Sequence, residues 1–361
     1  MSSTKNYRWG VLGTGYAARE FTSGLQSLEN ATVTAVGSES SKRASNFAKS
    51  HAIETSFGTY DEVIDSDNVD IVYVGTVAPL HHKLCLRAIQ AGKPVLCEKP
   101  FAMSAAEASE IAALAKSKGV FCMEAMWSRF IPLMVDIRSR IKSGEIGEIV
   151  SVAADFGLRQ TPLSNPRLFH PEQGGALRDL GVYPISLAVE YLGMPDDVRI
   201  TCAMGEGGAD IRAGGSLHYD TGAIATVLAD ISAATPTVAT IIGTEGFIEI
   251  QSPMYRPTQA RITHTSAPGP AAVSTSSKTR SGTIARVHRL ASAVKRRLLS
   301  SGKSLAAGYQ GNGYQYQARE VMQCLDRGLT ESSTMPLSQS IEILKVIDLG
   351  LISKNQTSTN E

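Results

Sequence analysis

Lys99 and Tyr183 are side chains of the types that carry out acid–base chemistry at alcohols and carbonyls. Removing hydride from a carbinol carbon requires a base for the hydroxyl proton, yet free tyrosine has a pKa of about 10. If the two residues meet, a lysine ammonium favours the phenolate, so we expect Lys99 to lower the pKa of Tyr183. In the reverse direction, Tyr183 would donate its proton to a carbonyl oxygen.

Each of these residues lies in a short motif. Lys99 follows Cys97-Glu98 and precedes Pro100, at the carboxyl end of a predicted strand where ligands collect in parallel sheets. The alternative is a solvated surface lysine. Asp179 and Tyr183, within residues 174–184, share one face if the segment is helical. That condition is open because Pro184 either begins or kinks a helix, and the alternative is an exposed Asp beside a half-buried Tyr.

A glycine-rich turn follows the first predicted strand. Gly13-Thr14-Gly15-Tyr16-Ala17-Ala18 has the pattern G-x-G-x-x-A between an apolar run and a predicted helix. The first glycine permits a tight turn, and the second lets the backbone approach a pyrophosphate. Free N–H groups at the helix N-terminus would bind that anion. The pattern therefore predicts a dinucleotide site, with an ordinary turn as the alternative.

The end of the second predicted strand bears on which dinucleotide binds. An acidic residue there hydrogen-bonds a ribose 2′-hydroxyl and repels a 2′-phosphate. Ser38 stands at this position, and Lys42 and Arg43 follow at the start of the next helix. A hydroxyl with two cations favours NADP, whereas Glu39, one residue away, leaves NAD possible.

The elements that must position these residues change character near residue 125. Before it, strands alternate with helices, which predicts a doubly wound parallel sheet of the Rossmann type over residues 1–125. From 126 to 361, strands joined by turns predict an α+β domain with a largely antiparallel open sheet. Helices are expected at 175–192, 314–327 and 338–353.

These motifs resemble, in order, those of the glucose-fructose oxidoreductase/inositol dehydrogenase/rhizopine catabolism (Gfo/Idh/MocA) family. The resemblance rests on residues 13–18, 98–100, 123–130 and 174–184. Tyrosine at 183, where many relatives carry histidine, points to the branch of dimeric dihydrodiol dehydrogenases and NADP-dependent D-xylose dehydrogenases. It implies a cytoplasmic sugar, polyol or diol dehydrogenase that forms homo-oligomers, most simply a dimer.

The resemblance also implies roles for individual residues. Lys99 and Tyr183 would be the catalytic pair, with Asp179 supporting them. Substrate would contact His81, Trp127, Phe156 and Tyr183. The cofactor would contact Gly13, Thr14, Gly15, Tyr16, Ala17, Ser38, Lys42, Arg43, Thr76, His81, Glu98, Lys99, Trp127 and Arg129.

Composition favours a soluble globular protein. The chain of 361 residues is 43% hydrophobic and 19% charged, and no run reaches the roughly 18 apolar residues that span a membrane. It opens without an apolar export segment, so we expect a cytoplasmic protein. The five cysteines lack metal-ligand spacing, and we expect no metal.

Residues 266–313 form a basic insertion with no counterpart in the resemblance. From Ile250 to Arg319 the chain has eleven Lys or Arg and no Asp or Glu, although its net charge is +1. Residues 283–299 suit a basic amphipathic helix, which can bind a membrane, nucleic acid or the protein's own acidic surface. We expect docking on the protein, with no nucleic-acid or membrane partner.

Two functions fit the whole chain. The first is an NADP-dependent oxidoreductase that acts on a small carbinol or carbonyl compound. The second is a sensor or scaffold that holds NAD(P)H without turnover. The glycine turn is compatible with both functions, whereas Lys99 together with Tyr183 is needed only by the enzyme.

Overall fold

The computed structural model describes residues 5–265 and 302–352. Six strands of the first half form one sheet in the order β3-β2-β1-β4-β5-β6, with every neighbouring pair parallel. The strands are β1 (Tyr7–Leu12), β2 (Ala31–Gly37), β3 (Thr55–Phe57), β4 (Ile71–Val74), β5 (Val95–Glu98) and β6 (Cys122–Ala125). This is the doubly wound order of dinucleotide-binding sheets, which confirms the Rossmann prediction.

Five helices connect these strands. They are α1 (Tyr16–Leu25), α2 (Ser41–His51), α3 (Tyr60–Asp65), α4 (His81–Gln90) and α5 (Ala105–Lys118). Strands β4 and β5 are buried along their whole length, as expected for a parallel sheet with helices on both faces. The carboxyl ends of β1, β4 and β5 therefore lie side by side along one edge.

The second sheet has eight strands in the order β14-β13-β12-β11-β7-β10-β9-β8. Its pairs are antiparallel except β7 with β10, which confirms the prediction of a largely antiparallel sheet. The strands are β7 (Ile149–Gly157), β8 (Asp197–Met204), β9 (Asp210–His218), β10 (Ile224–Asp230), β11 (Ala239–Gly243), β12 (Gly246–Ile250), β13 (Gln259–His264) and β14 (Lys303–Ala306).

In the part of the chain that the structure describes, four further helices lie among and after these strands. They are α6 (Pro132–Lys142), α7 (Val182–Leu192), α8 (Gln315–Asp326) and α9 (Leu337–Ile352). A five-residue π-helical turn, Leu177–Gly181, leads directly into α7. Pro184 thus lies three residues after the π-helical turn, and the helix proceeds through it. The predicted helix at 175–192 is confirmed.

The last described residues return to the first sheet. Helix α8 packs against α1, and α9 packs against α5. The hydroxyl of Tyr7 donates to Asp326 at 2.7 Å, and the N–H of Ala105 donates to Asp348 at 2.8 Å. The division of the chain at residue 125 stays a prediction.

Five elements were not predicted from the sequence: β3, α3, α6 and the last two strands, β13 and β14. Strand β3 has only three residues, α3 only six, and α6 begins at a proline after a run without clear periodicity. Of the basic insertion, residues 302–313 are described and contribute strand β14 to the sheet edge. Its residues 266–301, including the predicted helix at 283–299, lie outside the described residues. None of the described helices is both long and apolar enough to cross a membrane.

Candidate active site

A cleft of about 820 Å3 opens between the two sheets. One wall consists of the carboxyl ends of β1, β2, β4 and β5, and the other comes from α7, β7 and the loops of the second sheet. Fifteen of the predicted site residues line it: Gly13, Thr14, Gly15, Tyr16, Ala17, Ser38, Thr76, His81, Glu98, Lys99, Trp127, Phe156, Asp179, Tyr183 and Arg43. The sequence thus identified residues that meet in one cavity although they are up to 170 positions apart.

The glycine turn has the shape of an anion site. Gly13 has φ +107°, and a Cβ there would lie 2.6 Å from the carbonyl oxygen of Gly75. A Cβ on Gly15 would meet nothing within 4 Å, so the backbone is open to the cleft. Helix α1 begins without a side-chain cap and without an acidic residue in its first turn. Its N–H groups are therefore available to a phosphate.

The end of β2 presents groups of both signs to the cleft. Ser38 is buried, and Glu39 and Arg43 also line the cavity. Ser40 caps α2 by accepting from the N–H of Arg43 at 3.3 Å, which fixes where the Arg43 side chain starts. The lining does not include Lys42, which is exposed on the first turn of α2. Of the two predicted cations, only Arg43 therefore faces the cleft.

Lys99 is held by the turn that precedes α7. Its Nζ donates to the backbone oxygen of Asp179 at 2.8 Å and lies 3.6 Å from the Oδ1 of that residue. Arg167, from a short 3-10 helix, donates to the same Oδ1 at 3.1 Å. Burial alone would raise the pKa of Asp179, but the charges of Lys99 and Arg167 outweigh it and lower the pKa. Asp179 is thus an ionised carboxylate that fixes two cations.

Tyr183 projects from the first turn of α7 into the same end of the cleft. Its oxygen accepts a hydrogen bond from the indole N–H of Trp127 at 3.1 Å, and Lys99 Nζ lies 5.2 Å from its ring centre. An indole N–H can only donate, so the Tyr183 proton is free to point elsewhere.

The expectation that Lys99 lowers the pKa of Tyr183 is wrong for this arrangement. Burial, together with the negative charge of Glu98, raises the pKa of Tyr183 well above its usual value. The ammonium of Lys99 is directed to Asp179. Tyr183 is therefore a protonated phenol at neutral pH, poised as a proton donor.

Glu98 lies beneath these residues at the end of β5. One carboxylate oxygen accepts from the hydroxyl of Tyr73 at 2.6 Å, and the other accepts from the N–H of Lys99 at 3.3 Å. Burial raises the pKa of Glu98 to about 7, against the opposing effects of the Tyr73 hydrogen bond and the Lys99 charge.

An aromatic wall, consisting of Trp127, Phe156, Tyr183, Tyr255 and Tyr314, encloses the cleft around the Tyr183 hydroxyl. Phe156 and Tyr255 stack with centres 4.6 Å apart, and Trp127 stacks on Tyr314 at 4.7 Å. Sequence reasoning identified Trp127, Phe156 and Tyr183 but missed Tyr255, Tyr314 and Arg167. None of the three belongs to a recognisable motif, and only the adjacent Tyr255-Arg256 pair between two prolines gave a weak local signal.

His81 is buried beside the cleft and joins two of its loops. Its Nδ1 lies 2.9 Å from the carbonyl oxygen of Pro100, and its Nε2 lies 3.2 Å from that of Thr76. Burial lowers the pKa of His81 despite these two carbonyls, so the neutral ring donates to only one of them. The ring ties residue 76 to the segment that carries Lys99.

Arg129 does not line the cleft, contrary to the prediction. Its guanidinium is buried and donates to the Oγ of Ser186 at 3.0 Å, to the carbonyl oxygen of Thr334 at 3.2 Å and to the side chain of Gln339. It also lies 3.7 Å from the carboxylate of Glu190. These partners hold the side chain away from the cavity, where it links α7 to the segment that begins α9.

The described residues contain no group of three or more His, Cys, Asp or Glu side chains that could hold a metal ion.

Solved structures with the same fold cover almost the whole chain. Levoglucosan dehydrogenase, in complex with NADH and levoglucosan, superposes with a TM-score of 0.80 at 18% identity and covers 98% of each chain. KijD10, a 3-ketoreductase from Actinomadura kijaniata in complex with NADP and TDP-benzene, gives 0.76 at 22% identity and covers 97% of this chain and 98% of the other.

Sequence relatives are closer. Trans-1,2-dihydrobenzene-1,2-diol dehydrogenase of Xenopus tropicalis is 32% identical over 349 residues, covering 95% of this chain and 97% of the relative. The Homo sapiens enzyme of the same name is 29% identical and covers 94% and 95%. The model for an oxidoreductase family with an NAD-binding Rossmann fold matches residues 7–126, and that for the GFO/IDH/MocA C-terminal domain matches 134–249. The chain therefore belongs to the Gfo/Idh/MocA family of oxidoreductases.

Proposed function

We propose that the protein is an NADP-dependent oxidoreductase that moves hydride between nicotinamide and a carbinol or carbonyl carbon of a sugar, polyol or cyclic diol. The observation that carries the proposal is one continuous cleft. Its phosphate-binding end is the glycine turn, and its other end holds Lys99, Asp179 and Tyr183.

Tyr183 is assigned the role of acid and base. Its oxygen accepts from Trp127, so its own proton is available to a carbonyl oxygen of the substrate. In the opposite direction the substrate hydroxyl proton would pass to the deprotonated Tyr183 oxygen. Lys99, fixed by Asp179, orients the reacting oxygen, while bound nicotinamide supplies or accepts the hydride. Because burial raises the pKa of Tyr183, the residue holds at neutral pH the proton that a carbonyl substrate would receive.

Residues at the first sheet edge suit the cofactor. The open backbone at Gly15 and the uncapped α1 N-terminus would hold the pyrophosphate, with Thr14, Tyr16 and Ala17 around it. Ser38 and Arg43 favour the 2′-phosphate of NADP. Because Glu39 also lines this end, NAD remains the alternative, and a structural neighbour was solved with NADH.

The substrate end combines an aromatic side with a polar side. The aromatic wall faces Gln160, Asn165, Arg167 and Gln173, all of which line the cleft. Apolar ring faces with adjacent hydrogen-bonding side chains suit a compact compound that carries several hydroxyl groups. The names of the diol dehydrogenase relatives and of the levoglucosan enzyme agree with this class.

A homodimer is proposed from the second sheet. Helix α7 covers one face of its central strands, whereas the opposite face carries Ile224 and Leu228 at 42% and 37% exposure. No described helix covers that face, and exposed apolar positions on a sheet suit a second subunit. Light scattering of the purified protein would give the mass, and a monomer at micromolar concentration would contradict the dimer. A cytoplasmic location stays a prediction from the sequence.

Absorbance of reduced nicotinamide tests the main proposal. Purified protein is incubated with NADP or NAD and a panel of aldoses, polyols and cyclic diols, and with NADPH and the corresponding carbonyl compounds. We expect turnover with at least one compound class and a higher kcat/KM with NADP. Tight cofactor binding without turnover across the panel would favour the sensor or scaffold function.

A further inference from the structure

The carboxyl group of Glu98 is fixed in the floor of the cleft by a rigid anchor. The side chain lines the cavity although the residue is only 4% exposed. Its anchor, Tyr73, is fully buried on β4, donates to Glu98 at 2.6 Å, and stacks on Phe21 with ring centres 3.7 Å apart. The carboxylate therefore cannot turn out to solvent without breaking a buried contact.

Glu98 lacks the cationic partner that a buried carboxylate usually has. The adjacent Lys99 reaches instead to Asp179, which also receives Arg167. Within residues 5–265 and 302–352, no Lys, Arg or His side chain lies within ion-pair distance of Glu98. Burying an uncompensated charge is costly, and burial raises the pKa of this group to about 7.

The charged groups around Glu98 do not compensate its buried negative charge. Lys99 is the cation that acts on Glu98, but its charge is shared with the Asp179 carboxylate, and the remaining titratable neighbours supply no positive charge. The titratable groups that act on Glu98 or respond to its charge are Tyr73, Cys97, Lys99, Glu124, Asp179, Tyr183 and Tyr314. A cation that enters the cleft at the end of β5 would therefore gain from an unsatisfied negative charge.

This inference rests on the proposed function, which places a nicotinamide cofactor in the cleft. The nicotinamide ring is a cation when oxidised and neutral when reduced. Ligands of doubly wound sheets lie outside the carboxyl ends of the strands, where Glu98 is located. We propose that Glu98 is the counter-charge for the oxidised nicotinamide ring and biases the protein toward binding the oxidised over the reduced cofactor.

The test compares dissociation constants for NADP and NADPH, measured by titration calorimetry at about pH 8, where Glu98 is ionised. Glu98→Gln preserves shape and removes the charge. We expect it to weaken NADP binding about tenfold, equivalent to about 1.4 kcal/mol, and to leave NADPH binding within about twofold. Glu98→Asp, which retains the charge, should keep part of the preference.

A matched control lies on the neighbouring strand. Glu124 of β6 is buried, has its pKa raised to about 7 by burial, and accepts from the N–H of Phe101, but it does not line the cleft. Glu124→Gln should leave both dissociation constants unchanged. An equal effect of Glu98→Gln on the two cofactor forms would overturn the inference.

A second readout needs no variant. Because a cation lowers the pKa of a nearby carboxyl, NADP binding to the unmodified protein near pH 7 should release protons, and NADPH binding should release fewer. Calorimetry in two buffers of different ionisation enthalpy counts these protons. Equal release for the two forms also overturns the inference. If neither form binds, the proposed function itself fails, which is a distinct result.

Discussion

Replacing Tyr183 with Phe removes one oxygen from the reacting end of the cleft. The ring keeps its contacts with Phe156 and Tyr255, whose centres lie 5.4 and 5.7 Å away. The indole N–H of Trp127 loses its acceptor, which costs about 1 kcal/mol for a neutral hydrogen bond. Losing the proton donor should lower kcat at least about a hundredfold, equivalent to about 2.7 kcal/mol on the barrier.

The assay measures kcat with saturating cofactor, the dissociation constant of NADP, and thermal stability. We expect the loss in kcat alone, because the glycine turn lies at the other end of the cleft. Tyr191→Phe is the matched control, since it removes a buried hydroxyl without a described partner from the same helix. If Tyr183→Phe retains kcat within about fivefold of the unmodified protein, the acid–base assignment is refuted.

Three other variants probe different parts of the structure. Arg43→Ala should raise the KM for NADP at least about tenfold, because a charged hydrogen bond contributes about 1.5–3 kcal/mol. The KM for NAD should change little, and equal changes in the two KM values would exclude the 2′-phosphate contact. Arg129→Met should lower the free energy of unfolding, measured in urea, by about 3–5 kcal/mol, since it leaves Glu190 without one of its buried partners. Weakened NADP binding at unchanged stability would instead support a role of Arg129 in the cofactor site. Glu124→Gln should flatten the pH dependence of stability. A carboxyl whose pKa rises from 4.5 to about 7 on folding stabilises the protein at low pH. This contribution, up to about 3 kcal/mol, is lost as the pH rises through that interval. Urea unfolding at several pH values would show the difference, and parallel curves for the two proteins would contradict it.

Local sequence patterns were sufficient to predict the parts of the site that lie within one strand-turn-helix unit. The turn requires glycine at positions 13 and 15 for its backbone conformation, and the spacing of these two glycines is visible in the sequence. Lys99 was recognisable from its place at the end of a buried strand beside Pro100. The doubly wound sheet was predictable because its strands alternate with helices and are buried deeply enough to appear as apolar runs in the sequence.

Contacts between distant segments were not predictable in the same way. Arg167 reaches Asp179 from a short 3-10 helix, and Tyr314 stacks on Trp127, which lies 187 positions earlier in the sequence. Arg129 was assigned to the cleft by its motif, whereas its direction is set by Ser186 and Gln339 in other helices. The pKa of Tyr183 depends on burial and on the direction of the Lys99 ammonium, which the sequence does not specify.

The return of the last helix to the first sheet has a consequence for synthesis on the ribosome. Helix α5 is complete early, but the apolar side that α9 covers stays uncovered until residue 352 has left the exit tunnel. The N–H of Ala105 likewise waits for Asp348, and that of Cys122 waits for the carbonyl oxygen of Thr330. The nucleotide-binding half, although translated first, therefore reaches its final stability only after α9 has emerged, and a nascent chain stalled before α9 would present α5 to chaperones.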